Sequence, residues 1–371
     1  MTPIDQPKTE EAPIKKILLV RPRRMGDIIL TTPALMALRS AFPEAYLCYL
    51  LERPYARLIE GNGLVDEVLA LRPDPGIIGL LTIIRKLRRK KFDVAIDFHG
   101  GPRSALLVLA SGSRWKIGYK TKYKAWVYDN LVPRSYASGP VHSVINHLNL
   151  IRILKPETGM EFSLRVPPSR PEEREKIEAF WKQAGLFSRK ILVLHISAGN
   201  RFRDWGKENL VSFLEGLASW SEVWPLLIGS KEDKAREKEI LKSLGRPVPS
   251  LVGQTSLGEL IATLEKADLF VGPDSGPMHL AAALNRPIVA LFGPTLSAHF
   301  APWKAKAIIL ERPLACRPCR QRSCHEGNFA CLQTIKPEEV IEACQKLLSF
   351  ESTGKNFQGK EIQGKEEGNI I

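Results

Sequence analysis

Long apolar runs are missing from the 371-residue sequence: no stretch approaches the roughly eighteen uninterrupted apolar residues that a membrane-spanning helix needs. Residues Met1 to Asp5 have neither the basic start nor the apolar core of an export signal. No G-x-G-x-x-G motif follows the first apolar segment, and no Walker A motif occurs, which argues against a dinucleotide-binding oxidoreductase and a P-loop protein. We therefore expect a cytoplasmic protein.

Acidic residues are outnumbered, with 40 Asp and Glu against 54 Lys and Arg, a net charge of +14 and a pI of about 9.5. The two ends are slightly acidic, with −2 over residues 1–13 and −1 over residues 351–371, so residues 14–350 carry +17. A positive field of this size suits nucleotide phosphates, an anionic membrane surface or nucleic acid.

Short apolar segments alternate with segments of helical periodicity twice along the chain, which predicts an α/β protein with two parallel, doubly wound sheets. We expect two Rossmann-like domains that face a cleft. The predicted organisation is a disordered leader (1–14), a first domain (15–165), a second domain (171–335), a C-terminal helix (336–350) and a disordered tail (351–371). The Pro- and charge-rich residues 166–173 are the predicted linker. Ligands are expected in the cleft, beyond the carboxyl ends of the strands.

Residues 267–284 combine an apolar strand, a polar turn and the start of a helix. Asp274, Ser275 and Gly276 form the turn, with Ser275 as a candidate cap and Pro277 near the first helical position. The unpaired N–H groups of such a helix start favour phosphate. The alternative is an ordinary connection between a strand and a helix.

In the first domain, Asp27 follows Arg21, Arg23 and Arg24 and begins a helix, so the cleft geometry places it opposite Asp274. A carboxylate at this position could cap the helix or act as a general base for an attacking hydroxyl. Arg23 and Arg24 could bind acidic groups of an acceptor, and the arginines would also hold the pKa of Asp27 low.

Polar residues follow two further strands. Asp97, His99 and Arg103 end the segment 92–104, where we predict acceptor binding, with Asp97 as a tie within its own loop as the alternative. Ser197 and Arg203 follow the first strand of the second domain, where they could reach a diphosphate. We interpret Trp205 as a packing anchor.

Basic residues 85–91 are either a solvated helix face or part of a membrane-surface patch. The patch would add these residues: Arg114, Trp115, Lys116, Lys120, Lys122, Tyr123, Lys124 and Trp126. Lysine mixed with aromatics also occurs in nucleic-acid grooves, but no recognition motif supports that interpretation.

The sequence has six cysteines, of which Cys48 and Cys344 lie in apolar patterns that predict core positions. The other four lie within sixteen residues: Cys316, Cys319, Cys324 and Cys331. They could hold a structural zinc ion, although the second pair is too widely spaced for a double C-x-x-C motif, or they could remain metal-free thiols.

Five segments together resemble the lipopolysaccharide heptosyltransferases, a glycosyltransferase family. They are MGDIILTTP (25–33), IDFHGGPRS (96–104), RDW (203–205), GPDSGPMH (272–279) and FGPT (292–295). The resemblance runs from about Lys15 to Leu348. It implies a GT-B enzyme that inverts the sugar as it moves heptose from ADP-heptose to the Kdo or heptose of the inner core. It also implies peripheral location on the inner face of the inner membrane and no required metal.

By position in these motifs, Asp27 matches the proposed base of the family, and its donor loop corresponds to Asp274, Ser275, Gly276 and His279. Arg203 stands where the family usually has a lysine on the donor phosphates. Asp233, beside Glu232, corresponds to an acidic residue at the donor ribose. The backbone near Ser275 and Thr295, together with Arg203, is expected to bind the diphosphate charge of the leaving ADP.

Two other interpretations remain open at this point. One is a GT-B transferase that uses a different nucleotide sugar, such as a UDP-sugar. The other is a basic metalloprotein that binds nucleic acid through its cysteine loop, which the absence of nucleic-acid motifs and the placement of Asp27 disfavour.

Overall fold

The computed structural model describes residues 13–121, 125–134, 141–186, 189–324 and 327–349. The strands are β1 (Lys16–Val20), β2 (Tyr46–Glu52), β3 (Glu67–Leu71), β4 (Val94–Asp97), β5 (Trp115–Tyr119), β6 (Asn130–Val132), β7 (Lys190–His195), β8 (Val223–Ile228), β9 (Leu269–Pro273), β10 (Ile288–Phe292) and β11 (Ala307–Glu311). The α-helices are α1 (Met25–Ile29), α2 (Thr32–Ala41), α3 (Gly76–Lys90), α4 (Pro102–Ala110), α5 (Ser143–Ile151), α6 (Pro171–Gln183), α7 (Lys207–Ala218), α8 (Lys234–Leu244), α9 (Leu257–Glu265), α10 (Gly276–Ala283), α11 (Ser297–Phe300), α12 (Ala330–Gln333) and α13 (Pro337–Ser349). Most of the predicted leader and the whole predicted tail lie outside the described residues, so their predicted disorder stays a prediction.

Two parallel sheets confirm the predicted α/β fold. The first has the order β3-β2-β1-β4-β5-β6 and the second the order β11-β10-β9-β7-β8. The chain reverses its direction of travel across the first sheet between β1 and β4, and across the second between β7 and β9. Ligands bind at such switch points in open α/β sheets, and the predicted site residues follow β1, β4, β7 and β9.

Several elements differ from the sequence-based expectation. The sequence predicts an α-helix at residues 55–60, whereas the structure has a 3₁₀ helix over Arg53–Leu58. It also predicts a strand at residues 250–252, whereas the structure has only a single bridge between Ser250 and Leu227. Strands β6 and β11 were not predicted: β6 has only three residues, and the apolar run at residues 307–310 of β11, an edge strand of mostly half-buried side chains, was not assigned to a strand.

The two halves meet closely where α1 crosses α10. A Cβ atom added to Gly26 would lie 2.7 Å from His279 Cδ2, and one added to Gly276 would lie 2.8 Å from Met25 Sδ. Both positions therefore require glycine for this approach. Because α1 carries Asp27 and α10 follows Asp274, the contact brings the two predicted functional segments together.

A second contact between the halves depends on a neutral histidine. His142 Nδ1 accepts a hydrogen bond from Val144 N at 3.2 Å, so Nε2 carries the proton that it shares with Ala301 O at 3.0 Å. The ring stacks on Trp303, with 4.7 Å between ring centroids. Burial lowers the pKa of His142 from 6.5 to about 4.

Acid is therefore expected to destabilise the protein through His142. The folded pKa lies below the unfolded value, so the unfolded chain takes up the proton first as the pH falls, and stability is lost between about pH 6.5 and pH 4. Between pH 7.5 and pH 5 the loss attributable to His142 is about 2 kcal/mol. Urea unfolding of wild type and His142→Gln at both pH values measures it, because glutamine keeps both hydrogen-bonding groups without titrating. An identical pH dependence in the two proteins would contradict the assignment.

Candidate active site

A cavity of about 710 Å³ lies between the two halves. Its first wall is formed by residues 24–27 at the start of α1, and its second by the loop after β7 and the start of α10. The cavity thus opens at the carboxyl ends of the strands, as the fold predicts. Seven predicted donor residues line it: Ser197, Arg203, Asp233, Asp274, Ser275, Gly276 and His279.

The start of α10 presents backbone N–H groups to this cavity. Ser275 occupies the N-cap position but makes no side-chain cap hydrogen bond. Its hydroxyl instead lies 3.1 Å from His195 Nδ1, and burial lowers the pKa of His195 to about 4, so that histidine is neutral near pH 7. The N–H groups in the first turn have no acceptor within the helix, which suits an anionic ligand.

Asp274 holds Arg203 in place behind this helix start. Asp274 Oδ2 accepts a hydrogen bond from Thr295 Oγ1 at 2.7 Å and lies 3.2 Å from Arg203 Nη1. The same guanidinium nitrogen donates to the backbone carbonyl of Asp274 at 3.1 Å. The Asp274 side chain is only 5% exposed, so it orients Arg203, whose side chain is 28% exposed. Thr295 acts through Asp274 and does not line the cavity.

The cysteine loop reaches the same arginine through Gln321. Gln321 Oε1 accepts hydrogen bonds from Asn200 Nδ2 at 2.7 Å and from Arg203 Nε at 3.3 Å. Arg317 fastens the loop to the segment after β10, because its Nη2 donates to Thr295 O at 2.8 Å. The loop therefore contacts the guanidinium at Nε, whereas Asp274 contacts it at Nη1.

Replacing Gln321 with alanine should loosen Arg203 without unfolding the protein. For ADP, the nucleotide that the family resemblance leads us to expect, the loss of one hydrogen bond to a charged group predicts a several-fold increase in the Kd, up to about tenfold. Calorimetric titration measures this change, with Gln183→Ala as the control because Gln183 is exposed at the end of α6. Equal ADP affinity in wild type and Gln321→Ala would show that Gln321 does not position Arg203.

Asp233 and Ser197 form a second polar group on the cavity wall that carries the predicted donor residues. Asp233 Oδ2 accepts hydrogen bonds from Ser230 N at 2.7 Å and from Ser230 Oγ at 2.8 Å. Burial raises the pKa of Asp233, but the bonds from Ser230 and Ser197 outweigh it and leave the pKa below its usual value. Asp233 is therefore an ionised carboxylate at the wall of the cavity that can accept further hydrogen bonds.

Asp27 faces the donor side from α1. Its Oδ2 pairs with Arg21 Nη2 at 2.7 Å and accepts a hydrogen bond from Arg24 N at 3.4 Å, so the residue also caps α1. Oδ1 makes no hydrogen bond within the described chain, and the side chain is 34% exposed. Burial acts to raise the pKa of Asp27, but the buried Arg21 prevails and holds it below its usual value. The carboxylate is thus ionised and has one oxygen available to accept a proton.

Arg21 itself is fixed by the first sheet. Its Nη1 donates to Phe98 O, after β4, at 2.6 Å, and its side chain is 4% exposed. Arg23 and Arg24 are exposed, and neither guanidinium has an ion-pair or hydrogen-bond partner among the described residues. Of these two predicted acceptor residues, Arg24 lines the cavity and Arg23 does not.

Asp97, His99 and Arg103 lie outside the cavity lining. Asp97 is fully buried, and its two oxygens accept hydrogen bonds from four groups: His99 N, Gly100 N, Ser104 Oγ and Tyr128 Oη. Arg103 donates to Glu52, Pro73 O and Arg72 O. Asp97 has no exposed atom and ties its own loop together, so the expectation that it contacts an acceptor directly is wrong. His99 and Arg103 keep acceptor binding only as a prediction.

The cysteines divide as the sequence suggests. Cys48 and Cys344 are buried in the core, which confirms their predicted positions, whereas the four loop cysteines are half-buried. Within the described residues, no three His, Cys, Asp or Glu side chains are arranged to hold a metal ion. The zinc site therefore stays a prediction, and His325 beside Cys324 lies outside the described part.

Trp205 is buried and donates to Ile335 O at 2.8 Å, which confirms the packing anchor.

A family model described as glycosyltransferase family 9 (heptosyltransferase) matches residues 80–330, well over half of the chain. The chain belongs to this family. This family 9 glycosyltransferase is 27% identical over 350 residues to lipopolysaccharide heptosyltransferase 3 of Escherichia coli, covering 90% of this chain and 99% of the relative.

Two solved structures share the fold of this family 9 enzyme. The family 9 glycosyltransferase of Veillonella parvula has a TM-score of 0.83 and 24% identity, covering 92% of this chain and 99% of the other. The E. coli ADP-heptose lipopolysaccharide heptosyltransferase II has a TM-score of 0.75 and 22% identity, covering 91% and 100%. The two facing Rossmann-like halves of this family 9 chain are thus the GT-B architecture.

Sequence reasoning gave no role in the family 9 site to His195 or Gln321. His195 is the last residue of β7, and its polar side chain at the carboxyl end of a strand could have indicated a position in the cleft. Gln321 lies 118 residues from Arg203 along the chain, and nothing in its local sequence indicates the contact.

Proposed function

We propose that the enzyme transfers heptose from ADP-heptose to a Kdo or heptose residue of the lipopolysaccharide inner core, with inversion at the transferred carbon. The observation that carries the proposal is the placement of an ionised Asp27 across the cavity from Arg203 and the start of α10. A general base and a diphosphate site on opposite walls suit a direct displacement. The names of the E. coli relatives support heptose as the transferred sugar, lipopolysaccharide as the acceptor and an ADP-linked donor.

In the proposed reaction the acceptor hydroxyl attacks C1 of the heptose on the face opposite the diphosphate. Asp27 Oδ1 takes the hydroxyl proton as the new C–O bond forms. The bond from C1 to the phosphate oxygen breaks, and its electron pair leaves with ADP. Arg203 and the N–H groups at Ser275 and Gly276 stabilise the charge that develops on the diphosphate.

The remaining donor and acceptor roles follow the geometry of the cavity. Asp233 can accept hydrogen bonds from ribose hydroxyls, and His279, which lines the cavity beside Gly26, closes the site between the two halves. The exposed Arg24 suits the carboxylate of Kdo or a phosphate of the acceptor. Because Arg203 and the helix start supply positive charge, we expect turnover without an added metal ion. The structural zinc is a separate proposal, which metal analysis of the purified protein tests.

We further propose that the enzyme works in the cytoplasm at the inner face of the inner membrane, where a Kdo-bearing lipid A acceptor is embedded. No helix in the described part of the chain is long and apolar enough to cross a membrane. Peripheral attachment to an anionic surface is consistent with the +17 charge of residues 14–350.

A comparison of ligand-induced thermal stabilisation tests the donor class. Only a ligand that binds the native state raises the melting temperature, so ADP should raise it while UDP and an oligonucleotide leave it nearly unchanged at the same concentration. A larger shift with UDP would favour a UDP-sugar transferase. A shift with the oligonucleotide alone would favour nucleic-acid binding.

A further inference from the structure

Exposed apolar side chains are concentrated on one part of the surface. Of the eight large hydrophobic residues that are exposed in the described chain, six lie between positions 77 and 126. They are Ile77, Ile78 and Leu81 of α3, Leu106 and Leu109 of α4, and Trp126. Ile77 is 78% exposed, Ile78 83% and Trp126 75%, so these side chains contribute almost nothing to the core. Single exposed hydrophobic residues are common, but such a concentration indicates an interaction surface.

These six residues share one helical layer. Helices α3 and α4 and the 3₁₀ helix Ala125–Val127 pack on the same side of the first sheet, through a buried cluster that includes Leu87, Leu107 and Val127. Arg88 Nε donates to Ala110 O at 3.1 Å and joins the carboxyl ends of α3 and α4. We call the outer surface of α3, α4 and residues 125–127 the α3–α4 face.

The elements of the α3–α4 face carry positive charge only. Together, α3, α4 and residues 125–127 contain six lysines and arginines and no aspartate or glutamate, and Lys122, Tyr123 and Lys124 of the predicted patch lie outside the described residues. Glu67 pairs with Lys86 and Lys90 at the carboxyl end of α3. Arg85, Arg89 and Lys91 are exposed and have no ion-pair partner among the described residues. An apolar surface bordered by unpaired cations complements an anionic lipid bilayer, which offers both acyl chains and phosphate.

The apolar end of this face lies on the cleft side of the molecule. Helix α3 begins after β3, at the sheet edge where β1 ends and Asp27 follows. Arg103, at the start of α4, donates to Arg72 O and Pro73 O and to Glu52 at the end of β2, which fixes the start of both helices at this edge. A bilayer that contacts Ile77 and Ile78 would therefore meet the rim of the active-site cleft.

We propose that the α3–α4 face docks on an anionic bilayer, with Ile77, Ile78 and Leu81 inserted below the phosphates and the basic half of α3 lying among them. This docking brings the cleft to the level of a lipid-anchored acceptor. The proposal rests on the proposed function only for that acceptor, since the surface itself is defined by exposure and charge.

Sedimentation of the full chain with vesicles tests the docking. Wild type should bind vesicles of phosphatidylethanolamine with phosphatidylglycerol more tightly than phosphatidylcholine vesicles, and less tightly as salt rises above about 0.1 M. The double variant Ile77→Ser/Ile78→Ser should lower the partition coefficient by more than about tenfold. Arg85→Gln/Arg89→Gln should lower it and flatten its salt dependence. Met160→Ser, which changes an exposed methionine outside the face, should bind like wild type.

The possible outcomes separate docking from catalysis. The serine double variant should transfer heptose normally to an acceptor shortened to its soluble sugars, and slowly to the same sugars on lipid A in vesicles. Equal vesicle binding by wild type and this variant would overturn the proposal. The proposal would also be overturned if wild type were a dimer, the serine double variant were a monomer, and the two bound vesicles equally. The α3–α4 face would then be an interface between two copies of the chain. If vesicle binding behaves as expected but no heptose is transferred, the docking holds and the proposed function fails.

Discussion

Asp27→Asn is expected to lower kcat by about a thousandfold while ADP still binds. The asparagine has nearly the shape of aspartate, and its amide oxygen can still accept a hydrogen bond from Arg21. It cannot take the proton of an acceptor hydroxyl through Oδ1. Because Asp27 lies on the wall opposite the donor residues, the Kd for ADP should stay within about a factor of three, which is less than one hydrogen bond contributes. Turnover by coupled detection of ADP and calorimetric titration with ADP give the two values.

The control for this substitution is Asp66→Asn. Asp66 pairs with Arg39 at 2.7 Å, the same distance that separates Asp27 from Arg21, but it lies outside the cavity lining. It should therefore keep wild-type turnover while losing a comparable ion pair. Turnover by Asp27→Asn within about tenfold of wild type would remove Asp27 as the base, since general bases contribute at least a hundredfold.

The pKa of Asp27 adds a pH criterion to this assignment. Since the ion pair with Arg21 holds the pKa below its ordinary value of 3.8, the carboxylate stays ionised throughout neutral and mildly acidic conditions. Loss of proton acceptance by Asp27 is therefore confined to pH values below about 4. A decline of wild-type activity between pH 6.5 and 5 would therefore not come from Asp27, and it would not come from His195 or His142 in the folded enzyme either, because their pKa of about 4 keeps both rings largely neutral over that range.

Arg203→Ala is expected to raise the Kd for ADP by about ten- to a hundredfold and to lower kcat/KM further. The substitution removes the guanidinium that stabilises the diphosphate in the proposed reaction, and it leaves the Asp274 carboxylate with Thr295 as its remaining hydrogen-bond partner. Arg203→Lys should give an intermediate affinity, because a lysine restores the charge but not the planar set of donors that Asp274 and Gln321 position. Calorimetric titration with ADP ranks the three proteins.

Arg236→Ala is the matched control for Arg203. Arg236 also pairs with an aspartate in the second half, Asp204, but does not line the cavity. Its removal should lower stability and leave ADP affinity unchanged. If Arg203→Ala binds ADP like wild type, the diphosphate does not lie where this geometry places it.

Much of the site could be predicted because its main residues lie in local patterns of strand, turn and helix. Asp27 follows β1 and Asp274 follows β9, and parallel strands direct both turns to the cleft. Contacts between distant segments were not predictable. Gln321 reaches Arg203 from the cysteine loop, and Gly26 meets His279 only because the two halves close on each other. The burial of Asp97 depends on Tyr128, which lies 31 residues further along the chain.

The two strands that were missed have different causes. β6 has only three residues and lies at the edge of the first sheet, so its sequence gives little signal, whereas the apolar residues 307–310 of β11 were an available signal. The exposure of the apolar residues of the α3–α4 face could not be predicted from the sequence. Only the structure shows that Ile77 and Ile78, at the start of α3, are exposed.

The proposed activity is best tested by turnover of ADP-heptose with two acceptors, Kdo-lipid A carrying no heptose and Kdo-lipid A carrying one. We expect one of these acceptors to gain a heptose, detected as a mass increase of the product, together with equimolar release of ADP. We also expect that Asp27→Asn gives neither product at a comparable rate. Wild-type enzyme that heptosylates neither acceptor, but transfers a sugar from a UDP-linked donor, would contradict the proposed activity.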